Sequence, residues 1–333
     1  MAHMNEEMLR ATRQFDEVRI TSPQGEVTGR IVFKTVLAFE GGNTRDGQLR
    51  ALRALSDMAR EVAPGLAYMQ CAGPDARPEP FDLATFRSRS AAAIENLHAD
   101  GPYQDGIDLG LFGAPFDPST HTGISAFGGS VVAGGGLEGT ADISILEFST
   151  SLGWDAESMF RRQIQRTIAA ASTLRAQFGL AGFGIQRDRI YPSTAGDFPY
   201  LKRFPGIHCS LDDGFAAECA VRRKTADRYF SINWLTLIGH QMLSELQSAN
   251  SEELAARVGG DCAVLPYDGG LLIRAGDYPQ PGDVNQGILL EGYRRVSEAT
   301  LRLRFEGYKV PVIAAPLPLN SLEETLAWIR RFD

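Results

Sequence analysis

The sequence has little of what marks exported, membrane-spanning or disulfide-linked proteins. Its four cysteines are scattered along the chain without a Cys-x-x-Cys pair, so reduced and mostly buried thiols are expected. No stretch approaches the ~18 apolar residues that a membrane span requires. The segment after Met4 is acidic and has no apolar run typical of a secretory signal. We therefore expect a cytoplasmic protein, with residues 1–3 interpreted as a cloning remnant.

Metal-ligand patterns are also missing from the sequence. No histidine stands at the i, i+4 spacing of a zinc site together with a third ligand; the histidines after residue 3 are His98, His121, His208 and His240. One acidic group lies in a Gly/Pro-rich stretch and comprises Asp105, Asp108, Asp117 and His121. It lacks the spacing of a calcium loop, so turn formation explains it better. We predict no metal and no cofactor.

Catalytic residues are not evident either. His208 is followed by Cys209, but neighbouring residues of a strand point to opposite faces and cannot pair directly. Asp277 and Asp283 could form a carboxylate pair for acid–base chemistry. A turn capped by Asp283 before a helix at 286 is the favoured interpretation. The sequence thus predicts no enzyme, and a hydrolase that uses His208 or Asp277/Asp283 is the less favoured alternative.

Charge argues against nucleic acid as the direct partner. The chain has 33 Lys and Arg against 41 Asp and Glu, a formal net charge of −8, whereas nucleic-acid-binding surfaces are basic. An acidic surface suits a basic protein partner through electrostatic complementarity. Solubility alone also accounts for a mild excess of acids.

The order of elements predicts an α+β fold. Two strands, a long helix and another strand follow one another at 18–72 and at 123–187, and in part at 262–304. We expect repeated ββαβ-type units that form antiparallel or mixed sheets with long helices on one face. No low-complexity linker divides the chain, so residues 4–333 are predicted as one unit; two intimate halves, about 4–120 and 121–333, are the alternative.

Individual elements follow from periodicity, caps and turns. The predicted strands are 18–20, 29–39, 66–72, 105–112, 123–133, 142–152 and 181–187, and the predicted helices are one capped by Asn43-Thr44, 82–98 and 155–178. Apolar residues at helical spacing predict a further buried helix at 233–246. Asp268-Gly269 predicts a tight hairpin, and the Pro- and Gly-rich segment 275–285 predicts a rigid loop.

Several of these segments share a family signature. They are Gly182-Phe183-Gly184-Ile185, Pro205-Gly206-Ile207-His208-Cys209, Asn233 to Gly239, Ala275-Gly276-x-x-Pro279-x-x-Gly282-Asp283-x-Asn285 and Tyr293-Arg294-x-Val296. In this order they resemble the TsiV-like family of type VI secretion immunity proteins, formerly a domain of unknown function. His240-Gln241 and the polar run 247–250 depart from the family pattern and affect local loops.

The resemblance implies an immunity protein, an inhibitor that binds and neutralises a cognate type VI effector toxin. Effectors paired with the family include cytosol-acting nucleases of restriction-endonuclease-like type. A chaperone or adaptor that loads an effector is the alternative, and a homodimer is left open.

Candidate toxin-binding residues come from loops that combine aromatic and acidic side chains, because aromatic anchors dominate interface energetics and acids suit basic clefts. Two stretches satisfy this condition. They comprise Asp197, Phe198, Tyr200 and Asp213, and Asp277, Tyr278 and Asp283.

Overall fold

An antiparallel sheet forms the centre of the molecule. The computed structural model describes residues 6–71, 77–99, 106–113, 125–134, 143–152, 156–187, 196–209, 228–246 and 250–333. Within these ranges the strands are β1 Arg19–Thr21, β2 Val27–Glu40, β3 Tyr68–Gln70, β4 Glu79–Pro80, β5 Ile107–Phe112, β6 Gly128–Ala133, β7 Ile143–Thr150, β8 Phe178–Arg187, β9 Leu235–Gly239, β10 Ala263–Tyr267 and β11 Gly270–Arg274. Their order is β10-β11-β9-β8-β2-β7-β6-β5-β3-β4, and β1 pairs with β2.

Helices pack on this sheet and on one another. They are α1 Glu6–Glu17, α2 Arg45–Arg60, α3 Leu83–Leu97, α4 Ala156–Leu174, α5 Phe198–Arg203, α6 His240–Glu245, α7 Ser251–Val258, α8 Glu291–Thr300 and α9 Ser321–Ile329. The side chain of Thr44 caps α2 by accepting a hydrogen bond from the Gly47 amide, as the sequence predicts. Phe160 of α4 contacts both Phe33 of β2 and Trp234, with ring centroids 5.8 and 5.9 Å apart. The α+β prediction is confirmed.

β2 is the longest strand and is buried along almost its whole length. It pairs with β8 on one side and with β7 on the other, so that Phe33 lies opposite both Phe183 of β8 and Thr150 of β7. The order β1-β2-α2-β3 recurs as β6-β7-α4-β8, in agreement with the predicted units. β2 comes from the first predicted half of the chain and its two neighbours from the second; the division into halves stays a prediction.

The helix predicted at 233–246 is wrong over its first part. Leu235–Gly239 form the strand β9, and helix α6 begins only at His240. The run is apolar except for Thr236, and periodicity alone cannot distinguish a short buried strand from a buried helix. β9 lies between β8 and β11, and each of its residues is buried, which is typical of an inner strand rather than of a one-faced helix.

Two predicted ends are also wrong. α4 ends at Leu174 because Arg175 adopts a left-handed backbone with φ of 52°, so Phe178 begins β8 instead of closing the helix. The helix predicted from 286 begins at Glu291, because Gly287 has φ of 68° and interrupts the chain after a single 3-10 turn. α1, α5, α7 and α9 have no counterpart among the predicted elements.

The hairpin prediction is confirmed. Tyr267 pairs with Gly270 across β10 and β11, so Asp268 and Gly269 form the two-residue turn. Gly269 has φ of 133°, which only glycine adopts without strain.

Two glycines of β8 allow a close approach of two buried polar side chains. A Cβ atom at Gly182 would lie 2.1 Å from Oδ1 of Asn233, and one at Gly184 would lie 2.8 Å from Nε2 of His208. Asn233 uses this space to donate from Nδ2 to the Phe183 carbonyl at 3.1 Å and to accept from the Trp234 amide at 2.7 Å. Three of the signature segments therefore meet at β8.

His208 is fully buried. Its Nδ1 lies 2.8 Å from the Cys209 carbonyl, and a carbonyl only accepts, so Nδ1 carries the hydrogen. Lys34 packs against Gly184 on the same side as His208. It forms an ion pair with Glu147 at 2.8 Å. Burial lowers the pKa of His208 to about 4, and the nearby Lys34 and Arg331 charges act in the same direction.

We expect His208 to make the folded protein sensitive to acid. The unfolded chain takes up a proton below about pH 6.5 that the folded state binds only near pH 4. The free energy of unfolding therefore has its full value above pH 6.5. It decreases as the pH falls from 6.5 towards 4, by up to about 3 kcal/mol. Urea unfolding of wild type and His208→Gln across this range measures it. The stability of wild type relative to the variant should decline on acidification; a constant difference would contradict the assignment.

Gly184→Ala is expected to lower the free energy of unfolding by about 1–3 kcal/mol, because the added methyl group overlaps His208 and the Cβ of Lys34. Truncating His208 removes one of these two contacts. The cost of Gly184→Ala should therefore be smaller in a His208→Ala background, as a double-mutant cycle would measure. Equal costs in both backgrounds would show that the two residues do not share this space.

Candidate functional site

A cleft of about 260 Å³ opens between α5, the segment after the rigid loop, α8 and α9. Its lining residues are Leu201, Lys202, Pro205, Val284, Ile288, Leu289, Leu290, Glu291, Arg294, Ala327, Trp328, Arg331, Phe332 and Asp333. The cleft thus combines residues that are far apart in the sequence, and the fold positions each wall.

The loop at 275–283 fixes one wall. The Ala275 amide donates to the Trp234 carbonyl at 2.8 Å, and the Trp234 indole donates to the Gly276 carbonyl at 3.1 Å. At the other end of the loop the Gly206 amide donates to the Pro281 carbonyl at 2.8 Å. A Cβ atom at Gly206 would lie 2.0 Å from the Gln280 carbonyl oxygen, so only glycine permits this contact. The loop is bound at both ends, as expected for a rigid element.

An ion pair connects this loop to α5. Arg203 contacts Asp283 through Nη2 at 2.8 Å and through Nε at 3.1 Å. Hydrogen bonds from Arg203 hold the pKa of Asp283 below its usual range. Asp283 also accepts from the Asn285 amide at 3.0 Å, so the predicted capped turn is present.

The rim of the cleft is apolar and exposed. Val284 is 59% exposed, Ile288 47% and Leu289 82%. The segment that carries them is closed by a pair of hydrogen bonds between Asp283 and Ile288, at 3.2 and 3.0 Å. These side chains are not among the sequence-based candidates: Val284 lies in the predicted rigid loop, and Ile288 and Leu289 lie in the helix predicted from 286. The available signal was the apolar run at 288–290 directly after Gly287.

The floor is built around Arg331. Its guanidinium carbon lies 3.7 Å from the ring centroid of Trp328 and 4.4 Å from that of Phe332. Burial lowers its pKa to about 9, so it remains charged at neutral pH. Arg331 donates to the Pro205 carbonyl at 2.6 Å and the Ser231 hydroxyl at 2.9 Å. Within the described part of the chain, Arg331 forms no ion pair with a carboxylate.

The other charges around the cleft have partners of opposite sign. Four pairs, each with a contact at 2.8 Å, are Lys202–Glu324, Arg203–Asp283, Arg294–Glu291 and Arg304–Asp333. The rim is therefore neutral, and the floor carries the positive charge of Arg331.

The two predicted toxin-binding stretches lie beside each other, connected by the Arg203–Asp283 pair. Asp197 is buried and pairs with Arg187 at 2.6 Å. Phe198, Tyr278 and Asp283 are also buried, whereas Tyr200 is half-buried. Asp277 pairs with Arg274 at 3.0 Å. Asp213 lies outside the described residues. Binding of a toxin by this set stays a prediction.

The residues that the enzymatic alternative would use are either paired with arginines or buried. Asp277 and Asp283 contact different arginines, Arg274 and Arg203, and His208 is fully buried. Among the described residues no group of three or more His, Cys, Asp or Glu side chains could hold a metal ion; Asp105, Asp117 and His121 lie outside them. In the same residues no helix has the length and apolar character needed to cross a membrane.

The edges of the sheet offer little for strand addition. The outer strand β10 contains Pro266, and the opposite outer strand β4 ends with Pro80. Proline has no amide hydrogen to donate to an added strand. The cleft, rather than a sheet edge, is therefore taken as the candidate surface.

Comparisons with known proteins give the family. A family model described as "Type VI immunity for VRR-NUC" matches residues 136–332, a range that includes most cleft residues. The fold is similar to that of Pseudomonas aeruginosa T6SS protein PA0821, with a TM-score of 0.71 and 18% sequence identity over 98% of this chain and 91% of that one. A comparison with curated proteins found no match. Because the family model covers more than half of the chain, the protein belongs to the TsiV family of type VI immunity proteins.

Proposed function

We propose that this protein binds a cognate type VI effector, a nuclease of restriction-endonuclease-like type, and neutralises it in the cytoplasm of the cell that makes both. Membership of a family described as immunity for VRR-NUC is the observation that carries the proposal. Stoichiometric binding that covers the toxin's active site is the proposed mechanism. Such a mechanism requires a complementary surface and no reaction centre.

The cleft and its surroundings support binding rather than turnover. The polar groups first considered for catalysis are tied to arginines or buried within the fold. Exposed apolar side chains rim a concave surface instead, and exposed apolar patches of this kind mark interaction sites. The predicted binding stretches at 197–200 and 277–283 adjoin this surface through the Arg203–Asp283 pair, which supports a shared role in the interface.

Coexpression with the product of the adjacent reading frame tests the function. We expect the toxin to stop growth when expressed alone, growth to be restored by this protein, and the two proteins to copurify. A chaperone or adaptor would copurify with a toxin that remains active. A hydrolase would instead show turnover that a single substitution abolishes. If no adjacent product gives growth rescue or a complex, the immunity function is contradicted.

The two tyrosines of the predicted binding stretches should behave differently. Tyr200 is half-buried, so Tyr200→Ala is expected to weaken toxin binding with little change in melting temperature, because its exposed part is available to a partner. Tyr278 is buried, and Tyr278→Ala should itself destabilise the fold, by about 3–5 kcal/mol.

Affinity and thermal melting of both variants check this expectation, with Tyr200→Phe as the conservative control. Unchanged affinity in Tyr200→Ala would remove the α5 side of this surface from the interface.

A further inference from the structure

We infer that the cleft between α5, α8 and α9 is where the effector docks, and that its occupant is an aliphatic or aromatic side chain on a neutral or acidic segment of the effector. The inference rests on the proposed function and adds the surface and the chemistry of the partner. Four kinds of observation carry it: exposure, preformed shape, the residue types of the floor and charge.

The rim carries several exposed hydrophobic side chains in one short segment. Of the large hydrophobic side chains that are exposed in the described ranges, three fall between positions 284 and 289, namely Val284, Ile288 and Leu289. Single exposed hydrophobic residues are common on protein surfaces, but three around one concavity form a patch. Leu290, the next residue, lines the same cleft and is buried, so the segment is anchored beside its exposed neighbours.

The shape of the rim is set before any partner arrives. Gly282 and Gly287 adopt left-handed backbones with φ of 66° and 68°. Between them Asp283 bonds to Arg203, to the Asn285 amide and to both backbone groups of Ile288. A surface held in this way loses little conformational entropy when a partner binds.

The floor has the residue types that dominate binding energetics. Trp and Arg are enriched among interface residues whose truncation costs most affinity. Here Trp328, Arg331 and Phe332 form one stacked group at the base of the cleft. An apolar side chain entering the cleft would contact this group and be surrounded by the rim.

Charge decides what the anchor is attached to. The rim charges neutralise one another, and Arg331 adds a positive charge among carbonyl and hydroxyl acceptors. A basic segment would meet no carboxylate here that is not already paired with an arginine or lysine of this protein. A neutral or acidic segment meets complementary charge. The cleft therefore does not suit the basic DNA-binding surface of a nuclease, in spite of the net charge of −8.

Substitutions at the rim test the inference. Leu289→Asp and Val284→Asp are expected to weaken binding of the adjacent reading frame's product by at least about 30-fold, the loss typical of a central interface residue, and to abolish growth rescue. Val310→Asp is the matched control, since Val310 is 52% exposed and lies outside the cleft; it should bind as wild type does. Thermal melting verifies that each variant is folded.

The charge argument has its own test at the same position. Leu289→Lys should weaken binding less than Leu289→Asp, because a lysine can face a neutral or acidic segment. The reverse order would overturn the assignment of a neutral or acidic partner segment.

The remaining outcomes are distinguishable. A wild-type protein that neither rescues growth nor forms a complex contradicts the proposed function, and this inference with it. Wild-type rescue with unchanged affinity in Leu289→Asp overturns the cleft alone. Light scattering identifies a different occupant: a dimer that Leu289→Asp dissociates, with toxin affinity unchanged, would assign the cleft to a second copy of this chain.

Discussion

The rest of the structure depends on the close approach of Asn233 and His208 to the backbone of β8. Gly182 and Gly184 make this approach possible, because any side chain there would overlap the two polar groups. The side-chain amide of Asn233 donates to the Phe183 carbonyl of β8, beyond the part of β8 that pairs with β9. The backbone amide of His208 donates to the same carbonyl. Two irregular segments are thereby attached to the central sheet by hydrogen bonds.

From this point the attachment extends to the surface. Trp234, which follows Asn233, forms hydrogen bonds with the Ala275 amide and the Gly276 carbonyl. In the segment before His208, the Gly206 amide donates to the Pro281 carbonyl. Directly after this loop segment, Asp283 pairs with Arg203. The segments in which the sequence resembles the family thus mostly support the cleft. A residue that carries the resemblance need not touch the partner, and here the supporting residues lie beneath the exposed rim.

This distinction explains what the sequence could and could not predict. Turn chemistry is local, so Asp268-Gly269 and the Thr44 cap could be predicted from adjacent residues alone. The strand at 235–239 could not, because a run that is apolar except for Thr236 has no alternation of polar and apolar residues to reveal its period. The candidate toxin-binding residues follow from residue type alone, and three of them, Phe198, Tyr278 and Asp283, are buried in the fold. Aromatic and acidic side chains are favoured both in interfaces and in capped, rigid loops, and only the tertiary structure separates the two uses.

The acidic net charge and the cleft, whose rim is neutral, can serve different stages of one encounter. Under the proposed function, the net charge of −8 attracts a basic nuclease over distances near the Debye length of about 8–10 Å and mainly raises the association rate. The cleft acts only on contact, where desolvated apolar side chains govern how slowly the complex dissociates. An inhibitor must both intercept its toxin early and retain it. Since a charged rim would have to be desolvated on binding, placing the net charge outside the cleft lets the two requirements be met by separate surfaces.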